Sequence, residues 1–192
     1  MIAGHFGFAA IVKARQPQVP LWSLMLAAVW LDILFVPLFA MGIETVQPVP
    51  GLHGGYGENI IYADYTHSLL GALLLSAAFG LLFVARWGRR CAVVLALVAF
   101  SHWVLDLLVH RHDLPLLPGN AFSLPRLGFG WWQFRQVSFF MELALVVFGA
   151  LLYWQAAAPV TAPARKGRAR ALITAALLFI CGVLVLALDV TS

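Results

Sequence analysis

His102, Asp106 and His110 recur every fourth residue within Phe100-Ser101-His102-Trp103-Val104-Leu105-Asp106-Leu107-Leu108-Val109-His110. On an α-helix that spacing puts all three side chains on one slowly drifting face, about 6 Å apart along the axis. Imidazole nitrogens and carboxylate oxygens are the donor set that suits zinc, or iron and manganese where oxygen dominates. The rest of the stretch is apolar. An ionisable group in hydrocarbon costs about 3 kcal/mol or more unless it meets a partner, a cavity or a metal, which makes such a cluster a functional candidate.

His67, His102 and Asp106 are the expected core of a one-ion site, completed by Asp32 or His5. A divalent transition metal, zinc first, would activate water against an ester or phosphoester, with Asp64 or Glu142 as general base. His110 is a possible additional ligand. Plainer roles compete: a packing hydrogen bond for Asp32, helix capping for Asp64 and Ser68, neutralisation of Arg135 or Arg126 by Glu142, and an interfacial position for His5. His110, beside Arg111, His112 and Asp113, could be a headgroup contact, and His53 a solvated loop residue. No Ser or Cys nucleophile motif appears, nor a phosphate-cradling glycine loop ahead of a helix, so metal-assisted hydrolysis is the enzymatic chemistry supported. A permease relaying protons or a divalent cation, or a structural subunit, could use the same groups.

Of the 192 residues 62% are hydrophobic and 10% charged, against roughly 25% charged in soluble domains. The composition predicts an all-α polytopic transmembrane helix bundle forming one domain, with spans at 20–43, 67–84, 91–110, 137–154 and 171–188. Residues 1–12 are too short to cross, at about 18 Å, and read as a re-entrant or interfacial helix. Pro37 is expected to kink the first span. Residues 44–66 and 111–136 read as ordered loops and 155–170 as a basic linker. The net charge of +4 resides in short loops, which points to lipid headgroups and topology, not nucleic acid. Nine Lys and Arg flank one set of span ends and three the other, which puts the N-terminus in the cytoplasm. At about 1.5 Å per residue the ionisable groups then fall in the outer half of the bilayer, where a lipid-like or amphiphilic substrate could arrive sideways. The start lacks a basic n-region and is expected in the mature fold. Cys91 and Cys181 lie in or beside apolar segments, so neither a disulfide nor a Cys-based metal site is expected.

Gly4-His5, Asp32, Thr66-His67-Ser68 and Ser101-His102-Trp103-Val104-Leu105-Asp106, in that order, resemble the YdjM-like family of bacterial inner-membrane proteins, the membrane-bound metal-dependent hydrolases. The resemblance covers roughly residues 1–113. It implies a metal-binding hydrolase remotely like zinc-dependent phospholipase C, with His5, Asp32, His67, His102 and Asp106 as ligands. Two departures stand out. Tyr62-Ala63-Asp64 replaces the family's His-Arg-Gly, and Trp30-Leu31-Asp32 carries one Asp where the family has Pro-Asp-x-Asp, so one ion is expected and not two.

Overall fold

The computed structural model describes residues 1–160 and 165–191, so residues 161–164 of the linker expected at 155–170 lie outside the described residues. In chain order the elements are α1 (Ile2–Arg15), α2 (Leu21–Ala28), α3 (Trp30–Ala40), β1 (Thr45–Pro48), β2 (Asn59–Tyr62), α4 (Leu69–Leu82), α5 (Val84–Val109), α6 (Arg135–Val160) and α7 (Arg165–Thr191). Helices dominate, as the composition predicts. The one sheet among the described residues is an antiparallel hairpin, with Thr45 opposite Tyr62, inside the segment read as a loop.

Three helices, α5, α6 and α7, are long and apolar enough to cross a membrane, and α2 with α3 makes a fourth if the bent pair counts as one span. Their outward faces carry large apolar side chains such as Leu97, Phe148, Ile173 and Leu184, which lipid solvates and water would not. The helix expected at 67–84 is shorter: α4 has 14 residues, about 21 Å, against a hydrocarbon core of about 30 Å. Its start is displaced because Ser68 acts as N-cap, accepting from the Gly71 amide at 3.1 Å. Thr66 and His67 therefore stay in the turn ahead of it, where the His67 amide donates to the Ala63 carbonyl at 3.1 Å. The amides of Leu69 and Leu70 donate to the carbonyls of Pro115 and Leu116, so the 111–134 loop folds over this end of the bundle.

The bend in the first span is not at Pro37, which sits inside an unbroken α3. It is a 46° turn between α2 and α3 at Val29, whose φ −117 and ψ 16 leave the helix. A break strands carbonyls of the preceding turn, and the Ala28 carbonyl finds its partner in His102.

The N-terminal helix is no surface element. Ala3, Gly4, His5, Gly7, Ala9 and Ala10 are buried, and α1 runs against α6 with backbones in direct contact. A Cβ on Gly7 would lie 2.5 Å from the Leu145 carbonyl, and one on Gly149 would lie 2.4 Å from the Gly7 carbonyl. This is close packing of small residues, the arrangement that holds apolar helices together in lipid. Gly7→Val should therefore force α1 away from α6, destabilise the fold by about 2 kcal/mol and carry His5 off its position. A thermal melt in detergent checks it, and an unchanged Tm would contradict the contact.

Candidate metal centre

His102 and Asp106 stand one turn apart on α5 and are both buried. The Nδ1 of His102 lies 2.7 Å from the Ala28 carbonyl at the α2–α3 break. A carbonyl can only accept, so Nδ1 carries a proton, and in the neutral ring Nε2 is the nitrogen with the free lone pair. His67, just ahead of α4, is fixed in the same tautomer by a longer relay. Its Nδ1 is 2.8 Å from the Thr66 hydroxyl, which donates to the buried Glu44 carboxylate at 2.8 Å. With that proton committed, the hydroxyl accepts from His67 Nδ1–H, and Nε2 is again bare.

The two Nε2 atoms face each other at 3.2 Å. Asp106 Oδ2 lies 3.0 Å from His102 Nε2 and 3.7 Å from His67 Nε2, while Asp32 Oδ1 lies 3.4 and 3.6 Å from the same pair. With both imidazoles neutral, their lone pairs and the carboxylates repel one another, and a cation among them turns that repulsion into coordination. Bonds of about 2.0–2.1 Å in a tetrahedron separate the donors by about 3.3–3.4 Å, close to the middle of the observed distances. These residues can hold a metal ion. Two overlapping trios, Asp32–His67–His102 and His5–His102–Asp106, each keep their donor atoms within 4.8 Å.

His5 joins through the other oxygen of Asp106, at 3.1 Å, and its ring stacks on that of His102 with centroids 3.8 Å apart. His110 is buried, contrary to a solvated headgroup role. Its Nδ1 donates to Asp113 Oδ1 at 3.0 Å, while Asp113 Oδ2 accepts the Ile61 amide at 2.9 Å. The carboxylate orients the ring so that Nε2 looks toward the cluster, 3.9 Å from Asp106 Oδ2. A base held by a carboxylate is the arrangement general-base catalysis uses. His53 and His112 are exposed and stand apart.

A cavity of about 310 Å³ opens over the cluster, lined by all six cluster side chains with Ile2, Phe35, Val36, Ile61 and Trp132 at its apolar rim. The Asp32 side chain is 37% exposed while those of His5, His67, His102, Asp106 and His110 are 5% or less, so the cluster opens on the α3 side. Val36, one turn on, is exposed next to it.

Neither expected base is at the site. Asp64 is gripped by Arg126 through two hydrogen bonds of 2.6 and 2.9 Å, ties the loop before α4 to the 111–134 loop, and does not cap α4. That hydrogen-bonded carboxylate holds the Arg126 guanidinium above its ordinary pKa. Glu142 is buried on α6, where it accepts from the Tyr56 hydroxyl at 2.7 Å and the Gly4 amide at 3.2 Å. Burial, and then the Glu142 charge, push the Tyr56 phenol up. Glu142 thus anchors the α1 end that carries His5 and neutralises neither Arg135 nor Arg126. The sequence reading missed Glu44, the partner behind His67, and Asp113, the partner behind His110.

No family model, no curated protein and no solved structure matches the chain.

Proposed function

We propose that the protein is a membrane metal-dependent hydrolase of the YdjM-like kind, using one zinc ion to cleave an ester or phosphoester of a lipid-like substrate reached from the outer side of a bacterial inner membrane. The observation that carries the reading is the pair of Nε2 atoms of His67 and His102, 3.2 Å apart, with oxygens of Asp32 and Asp106 at 3.0 to 3.7 Å from them, distances near those between the donors of one ion. A bound zinc ion would supply a Lewis acid and lower the pKa of a coordinated water toward about 7. His67, His102, Asp32 and Asp106 would hold it, and His5 would brace Asp106. His110, backed by Asp113, takes the proton from the attacking water and returns it to the leaving group. The rim of Ile2, Phe35 and Val36 suits an alkyl chain.

The topology that goes with this has five spans, with α2–α3 as one bent span and α4 as a short one, and α1 rising from the cytoplasmic side as a re-entrant helix. The excess of Lys and Arg at the Lys13, Arg86–Arg90 and Arg165–Arg170 ends supports a cytoplasmic N-terminal side.

Release of headgroup or acyl product from a lipid panel by purified protein, abolished by chelator and restored by zinc, is the expected result. No product from any lipid tested, with metal bound, would overturn the hydrolase. His110→Ala should lower kcat by about 100-fold while leaving metal content unchanged; loss of metal instead would make His110 a ligand. One observation favours a transporter: a helix broken beside ionisable groups is common in permeases. Cation uptake into proteoliposomes without product would select it.

A further inference from the structure

A groove of about 250 Å³ runs along α7, with Phe6 of α1 and Met25 of α2 as its other walls. On α7 it follows one stripe from Thr174 through Leu177 and Cys181 to Val185, the spacing that keeps side chains on one helix face. Thr174, Cys181 and the neighbouring Gly182 are small, so α7 lacks the side-chain volume to close onto Phe6 and Met25. From Thr174 to Val185 a helix rises about 16 Å, close to half of a hydrocarbon core of about 30 Å. The groove is one leaflet deep. Water would find no polar partner there beyond the Thr174 hydroxyl, whereas an alkyl chain recovers dispersion contacts with every wall.

Charge marks one end of it. Gly7 packs on Leu145 and Ala10 on Gly149, so α1 runs parallel to α6; Gly182 packs on Val146 and Arg135 bonds the Val190 carbonyl, so α7 runs antiparallel to both. Moving on along α1 and back along α7 therefore leads to the same end of the bundle. There Arg170, one turn before Thr174 on the same stripe, is exposed and makes no hydrogen bond or ion pair among the described residues. Lys13, two turns beyond Phe6 on the same face of α1, donates to the Pro17 and Val19 carbonyls at 2.7 Å each, which leaves its charge uncancelled. No Asp or Glu occurs in residues 1–31 or 143–188, the segments that build the groove. The balancing anion has to come from outside the chain.

We propose that the groove binds one acyl chain of an anionic phospholipid from the leaflet at this end, with the lipid phosphate on Arg170 and Lys13. A guanidinium donates to phosphate oxygens through charge-assisted hydrogen bonds, and basic pockets between membrane helices take such headgroups. Phe6 and His5 are about 100° apart around α1, so this site is separate from the metal cluster and stands whether or not the cluster hydrolyses anything.

The test is native mass spectrometry of the full chain in detergent, titrated with dioleoyl phosphatidylglycerol or dioleoyl phosphatidylcholine. The first phosphatidylglycerol should bind about 30-fold more tightly than the first phosphatidylcholine, the worth of two basic side chains at a headgroup. Arg170→Gln should cut that preference to about fivefold and leave phosphatidylcholine binding as it was. Cys181→Trp, which fills the groove, should weaken both lipids alike. Arg89→Gln removes the same charge from the same end, where Trp87 meets Trp22 of α2, but not from the groove, and should keep the full preference. If Arg89→Gln lowers the preference as far as Arg170→Gln does, diffuse charge selects the lipid and there is no site. Equal affinity for both lipids in the wild type, or a chain that pairs with a second copy and takes up no lipid, would also overturn it.

Discussion

His102→Ala is expected to strip the protein of transition metal, from about one ion per chain to a small fraction of that, because loss of a ligand must exceed the 10–100-fold that loss of a ligand's outer partner costs. His102 is the residue to change because both candidate trios share it. It also supplies the shortest nitrogen–carboxylate distance within the two trios, 3.0 Å to Asp106. A fall in metal content through unfolding has a different signature. Zinc at about 100 times its Kd should stabilise the wild type by about 2.7 kcal/mol, visible as a rise in Tm, while the variant should melt at one temperature with or without zinc. A variant that still binds one ion, or a wild type whose Tm ignores zinc, would mean that the cluster is held together by protons instead.

What could be read in advance follows from how far apart the cooperating residues lie in the chain. The His102–Asp106 pair was legible because one helix carries both and the period of α5 aims them together. Asp32 and His67 were legible through cost, since each interrupts or borders an apolar run. The apolar runs themselves marked the long helices, with ends two to six residues short at α6 and α7, where the helices run on into more polar sequence. The bend at Val29 was not legible: no Gly or Pro marks it, and its partner, His102, is 74 residues from Ala28. Pro37 drew attention for the opposite reason, being a visible breaker that α3 tolerates. The tethers of Asp64 to Arg126 and Tyr56 to Glu142 span 62 and 86 residues. Sequence spacing carries no information at that range, so two carboxylates that position loops and helices looked like bases. Asp113 was within reach, three residues from His110, but a charged run after an apolar span reads as solvated until burial is known.

Glu44 offers the sharper test, because a change of one atom there should rewrite a proton position at the metal. Its Oε1 accepts the amides of Tyr65 and Thr66 at 2.8 Å each, and Oε2 accepts the Thr66 hydroxyl at 2.8 Å. Glu44→Gln keeps the shape and one acceptor oxygen, which the two amides claim. The amide nitrogen then faces Thr66 Oγ1 as a donor, and because the retained Oε1, 3.1 Å away, already accepts the two amides, the threonine proton is expected to turn toward His67 Nδ1. His67 is driven into the other tautomer, with Nε2–H pointing at His102 and Asp106. A protonated nitrogen cannot ligate, so metal affinity should fall by about 10–100-fold with the fold intact. Glu44→Ala should behave differently, leaving the buried Thr66 amide without an acceptor at about 1–3 kcal/mol, along with the part-buried Tyr65 amide, and lowering Tm even in chelator. Histidine ¹⁵N shifts report the tautomer directly, and competition with a chromophoric chelator reports the affinity. If Glu44→Gln binds metal as the wild type does while His67 keeps its proton on Nδ1, the relay from Glu44 through Thr66 does not set the ligand. If the tautomer flips and affinity holds, His67 is not a ligand at all.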